Sequence, residues 1–192
     1  MRVGIFDHLG WAVAVTASGD HAVVDRRRLE LLEPGVPAAP IHHQSWEMHR
    51  SDSSDGQPLD DDKLAALVAD VRSSAARATR VALEDLAGSL PAPIVSISLR
   101  VWPADFPDAI AVLRRPPLES RADPVMYRQV LAAVAAERGW AVHLYDTKQV
   151  AGQAKRLLGD SADQILHGPR VVLGPPWTKD HRAALAATIV AG

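Results

Sequence analysis

MRVGIFDHLGWAVAVT, residues 1–16, decides the fold. Apolar Val3, Ile5 and Phe6 run into Asp7, His8 follows, Leu9-Gly10 makes a turn, and a second apolar run extends from Trp11 to Val15. This reads as a buried strand that ends on a carboxylate, turns through a glycine and returns as a second strand. Such an arrangement fixes an acid at the edge of a sheet, where a metal or a phosphate can reach it. The second strand, read over 10–17, stops at Ser18-Gly19-Asp20. Glycine tolerates positive φ and aspartate bonds its own backbone, so this trio is a turn. Residues 21–32 then read as a third strand carrying Ala22, Val23 and Val24, the basic run Arg26-Arg27-Arg28, and Leu29, Leu31 and Leu32. The three strands form an antiparallel meander.

Downstream, the pattern switches to helices and strands in alternation. Residues 33–59 hold Pro34, Pro37, Pro40 and Pro58 and a polar run from Ser51 to Gly56, and are expected to be an irregular connection. A long helix follows, opened by Asp60, Asp61 and Asp62, whose charge complements the helix dipole. Leu64, Leu67, Val68, Val71, Ala75, Ala78, Val81, Ala82 and Leu86 recur at helical spacing, and Gly88 and Pro91 stop it. Residues 94–101 alternate as a strand, a helical turn is expected within 106–114, and a helix over 124–138 starts at Pro124 and ends at Gly139. Residues 140–145 read as the fifth strand. Asp146 or Thr147 caps a helix over 148–158, residues 159–177 read as loop with an apolar piece at Val171–Leu173, and a last helix spans 179–191. A meander followed by parallel strands that alternate with helices predicts a mixed five-stranded sheet with helices on its faces. Ligands of such sheets gather at strand C-terminal ends, where Asp7 stands.

The 192 residues are 47% hydrophobic, enough for one core, and a single domain over 1–192 is expected. A net charge of −2 provides no global positive field for a polyanion, so any nucleic-acid contact must be a local patch. There is no cysteine, which excludes disulfides and thiolate metal sites. No apolar run is long enough for a membrane span, and the interrupted N-terminal run is not a signal peptide, so a cytoplasmic protein is expected. A homodimer is compatible with these features. No P-loop, dinucleotide fingerprint or nucleophile elbow occurs.

Two stretches, GIFDHLGWAVAVTASG at 4–19 and VHLYDTKQVAGQAKRLLG at 142–159 followed by KDHRAALAATIVA at 179–191, carry a resemblance. With the element order, they resemble the ribonuclease H-like fold, and within it the RuvC-type resolvases. The resemblance implies a metal-dependent nuclease acting on or binding nucleic acid, with Mg²⁺ or Mn²⁺ as cofactor. Two such ions about 4 Å apart activate a water and stabilise the leaving oxygen, and they need converging carboxylates. By resemblance Asp7 is the first-strand ligand and Asp180 the final-helix ligand, and Asp146 is a candidate catalytic acid that could substitute for a missing one. His181 is adjacent to Asp180 and turns about 100° away from it on the helix. Glu47 and Glu84 are further acids that could complete the set. Arg100 stands roughly where the family carries an acid, at the end of the fourth strand. A guanidinium there would repel a cation and could pair with Asp7.

Imidazole with carboxylate also suits Zn²⁺, Mn²⁺ or Fe²⁺, which would join Asp7, His8, Asp180, His181 and one of His42, His43 or His49. Polar loops often carry histidines, and this spacing is not a standard ligand pattern. For nucleic acid, Arg26, Arg27, Arg28, Arg100, Lys148 and Lys155 are the candidate contacts, extended by Arg114-Arg115 and Arg156. The competing reading is an alternating strand face and a solvated helix face. Three functions follow: a divergent nuclease; a catalytically inactive interaction or scaffold module of the same fold, marked by an Arg100–Asp7 pair; and a nucleotide-binding relative of the actin-like ATPases, for which the chain is short.

Overall fold

A computed structural model of the chain describes residues 1–45 and 58–191. Glu47 and His49 lie outside the described residues. The architecture is the expected mixed five-stranded sheet flanked by helices. Strands β1 (Arg2–Asp7), β2 (Trp11–Ala17), β3 (Val23–Glu30), β4 (Ser96–Arg100) and β5 (Ala141–Tyr145) lie in the order β3-β2-β1-β4-β5. β1, β2 and β3 form the antiparallel meander, and β4 and β5 join parallel to β1. The β1–β2 register pairs Asp7 with Ala12. The His8 N–H donates to the Trp11 carbonyl at 2.8 Å, closing the turn through Gly10, whose φ of 76° is one that L side chains rarely adopt.

β1 is central and covered on both sides. Val3 and Ile5 face helices α2 (Asp61–Gly88) and α4 (Glu119–Glu137), whose Val71, Ala75, Leu83, Leu86, Met126, Tyr127 and Leu131 share one core with Ile97 and Leu99 of β4. The other face packs on α8 (Lys179–Val190) and α5 (Val150–Leu158), with Val13, Val15, Tyr145, Ala184 and Leu185 in a second core. A Cβ at Gly4 would overlap the Ala184 carbonyl, so α8 lies directly on β1 because position 4 has no side chain. The alanines of α8 serve the same close approach. α2 opens as its sequence dictates: Asp60 accepts from the Lys63 N–H at 2.8 Å, with Asp61 and Asp62 in the first turn.

Several boundaries differ from expectation. α4 begins at Glu119, not at Pro124, which lies inside the helix. Proline suits a first helical position, but Ala122, Val125 and Met126 are buried around it, and that packing offsets the lost backbone bond. Two further single-turn helices, α1 (Pro40–His43) and α3 (Ile110–Leu113), interrupt the connections. Residues 159–177 are not loop throughout. A 3₁₀ turn at Gly159–Ser161 leads into α6 (Ala162–His167) and α7 (Pro169–Leu173). Tertiary contacts hold α6: Leu166 is buried, and the indole N–H of Trp177 donates to its carbonyl at 2.9 Å. No described helix is long and apolar enough to cross a membrane.

Candidate functional site

Asp7 ends β1 with its side chain 1% exposed. Strand alternation points it toward α4, the side of Val3 and Ile5. Arg100, at the end of the neighbouring β4, grips it in a fork: Nε donates to Oδ1 at 2.7 Å and Nη2 to Oδ2 at 2.6 Å, and Nη2 also donates to the Asp7 carbonyl. Arg128 of α4 donates from Nε to Oδ2 at 2.9 Å and from Nη1 to the Val101 carbonyl at 3.2 Å. Both carboxylate oxygens are therefore taken by guanidinium N–H groups, the strong charge-assisted geometry. Burial pulls the Arg100 pKa down, but the bonded Asp7 outweighs it and the net shift is upward. The Arg100 guanidinium also lies 4.6 Å from the Phe6 ring centroid. Beneath the pair, the Tyr145 hydroxyl donates to the Ile5 carbonyl at 2.7 Å. Burial first, and Asp7 second, push the Tyr145 pKa up.

Asp180, the second residue of α8, reaches the residue after Asp7. Its Oδ2 lies 3.2 Å from Nε2 of His8. The His8 ring is stacked on Trp11, 4.0 Å between centroids and 9° between planes, and Phe6 lies at 5.4 Å on a tilt. Arg28 covers Trp11 at 4.0 Å. These contacts orient His8 toward α8. Oδ1 of Asp180 is buried and meets no hydrogen-bond partner among the described residues. His181 faces elsewhere, as the helical turn dictates: its Nδ1 faces the Thr178 N–H at 3.2 Å and the Thr178 hydroxyl at 2.9 Å, completing the cap of α8. Burial, then nearby Arg26, hold the His181 pKa below its ordinary value. Asp146 accepts from the Lys148 N–H at 2.8 Å in the turn before α5, so the helix starts at Val150, two residues later than expected.

The arginine run splits. Arg26 and Arg28 pair across with Val15 and Val13 on the α8 face, whereas Arg27 pairs with Ala14 on the α2 face. Arg26 donates to the carbonyls of Leu173, Gly174, Pro175 and Pro176, clasping the lead-in to α8. Arg27 bonds Asp25 and Ser89, and Arg28 bonds Glu30. Lys148 is exposed, and Lys155 is exposed with Asp163 at 3.9 Å. Arg114, expected to extend a surface patch, is fully buried: it bonds the Leu59 and Gln44 carbonyls and Asp61.

Sequence reading missed Arg128. Its signal was a charge at 128 between Val125 and Leu131, on the apolar stripe of α4. It also missed Asp123, which is fully buried and accepts from the N–H groups of Ile41 and His42. Burial raises the Asp123 pKa against the pull of those bonds.

No family model matches the chain, and no curated protein matches it. Among solved structures, that of Thermus thermophilus RuvC is similar, at 13% identity and a TM-score of 0.44, covering 98% of this chain and 91% of that chain.

The divalent cation that the sequence resemblance implies does not fit the residues present. Both oxygens of Asp7 are bonded to cations, and the acid expected beside it is Arg100. Asp180 offers one free oxygen next to an imidazole. Among the described residues no cluster of three or more histidines and acids could hold a metal ion.

Proposed function

We propose that the chain is a binding module on a ribonuclease H-like fold, in which the sheet-edge acid is a structural ion-pair centre and not a catalytic metal ligand. One observation carries this reading: Arg100 and Arg128 saturate the buried Asp7 carboxylate. A phosphodiesterase of this fold needs converging carboxylates free to accept metal. Here a cation would have to displace two guanidinium groups, at the cost of leaving both near an ion of like charge. Of the basic residues expected to meet nucleic acid, the proposal assigns contact to Lys148 and Lys155, because Arg26 and Arg27 are spent on internal bonds.

The test is thermal melting of the wild type and Asp7→Asn with and without Mg²⁺ or Mn²⁺, beside a cleavage assay on branched and linear DNA. The proposal expects melting temperatures indifferent to metal and no cleavage. Metal stabilisation that vanishes in Asp7→Asn, or metal-dependent cleavage, overturns it in favour of a nuclease.

A further inference from the structure

At the C-terminal ends of β1 and β5, on the α8 face, lies a cleft of about 310 Å³. Phe6, Val150, Ala151, Leu166 and Ala183 form its apolar floor and walls. Lys155, His167, Lys179 and Arg182 stand around it, with the Thr147 hydroxyl at one end. Among the described residues no acid lines this space. Asp163 lies 3.9 Å from the Lys155 ammonium and is itself largely exposed, a distance at which an ion pair is weak. The neighbouring Asp180 is turned to His8 instead. Arg182 spends one N–H on the Trp177 carbonyl at 3.3 Å, which steadies the guanidinium at the rim.

We propose that this cleft binds a small organic phosphate of about mononucleotide size. The inference does not depend on whether Asp7 is catalytic. The charge pattern selects the head group. Two lysines and an arginine, with a histidine beside them, converge without a lining carboxylate, which suits a phosphomonoester dianion better than a single carboxylate. The walls select the body. The lining is mainly apolar, so inorganic phosphate alone would leave that surface wet, whereas an attached ring or base would cover it. The volume sets the size, since about 310 Å³ is at the small end of ligand cavities and accommodates one such unit. The position suits the fold, because open sheets present ligand crevices beyond the carboxyl ends of their strands.

Calorimetric titration of the full chain with AMP, ribose 5-phosphate, inorganic phosphate and adenosine tests the proposal. AMP is expected to bind with 1:1 stoichiometry, at least about tenfold more tightly than inorganic phosphate or adenosine, because head group and body both contribute. Ribose 5-phosphate is expected to fall between AMP and inorganic phosphate. Lys179→Glu and Lys155→Glu, both at exposed positions, are each expected to weaken AMP about tenfold or more, and Arg115→Glu, an equal charge change outside the cleft, to leave it unchanged. Equal affinity for AMP and inorganic phosphate, equal weakening by Arg115→Glu, or no heat with AMP in the folded wild type overturns the proposal.

Discussion

Replacing Asp7 by asparagine separates the two uses of a sheet-edge acid by the sign of its effect on stability. In the structure the carboxylate accepts from Arg100 Nε, Arg100 Nη2 and Arg128 Nε, at 2.7, 2.6 and 2.9 Å. Asparagine keeps the shape, loses the charge and turns one acceptor into a donor facing a guanidinium. Removing one partner of a buried ion pair costs about 3–5 kcal/mol. The Arg100 and Arg128 side chains remain 22% and 13% exposed, so water can partly resolvate them, and the low end applies: about 3 kcal/mol. For a domain of this size that corresponds to a fall of roughly 6–12 °C in melting temperature. A cluster of acids awaiting a cation would respond oppositely, since neutralising one of several like charges relieves repulsion. Urea denaturation of wild type and Asp7→Asn in metal-free buffer at pH 7.5 measures the difference. A loss below about 1 kcal/mol, or any gain, refutes the structural assignment of the Arg100–Asp7–Arg128 cluster.

Gly4→Ala drives a methyl into the Ala184 backbone, where no flexible side chain can yield; it is expected to cost about 3 kcal/mol or more by denaturation, with α8 losing amide-exchange protection first. Arg114→Leu is expected to destabilise the protein by about 3 kcal/mol, because it leaves the carbonyls of Gln44 and Leu59 without their donor around a buried space. The His181 pKa is depressed, so between its folded pKa and the unfolded value of about 6.5 the unfolded chain binds more protons than the folded one. Stability from neutral His181 is thus complete above about pH 6.5 and declines as pH falls below it, and the pH dependence of melting should flatten between pH 7.5 and 5.5 in His181→Gln relative to wild type.

Much of the fold was legible because its signals are local. The hairpin of residues 1–17 announces itself by two apolar runs around Leu9-Gly10, and α2 by nine apolar positions at helical spacing. α6 and α7 were not legible, since helices of six and five residues are too short to show a repeat, and α6 is set by contacts such as Trp177 on Leu166. The same distinction runs through the site. Arg100 was readable because it interrupts the end of a strand beside β1, where an acid was expected. Arg128 meets Asp7 across 121 residues of sequence, and Arg26 meets a loop nearly 150 residues on through its backbone carbonyls, which carry no residue-type signature.

The geometry at position 7 has an electrostatic logic. A carboxylate at the end of the central strand, 1% exposed and packed under α4, is costly to bury without compensating positive charge. In a two-metal phosphodiesterase site the metal ions supply that charge. Here β4 and α4 each contribute one guanidinium, so two fixed positive charges converge on the acid and supply what a divalent ion would. The demand is met by covalent parts of the protein, in a geometry that also ties the ends of β1 and β4 to α4. An acid at this position therefore does not by itself mark a metal centre. What the acid faces decides, and Asp7 faces two arginines.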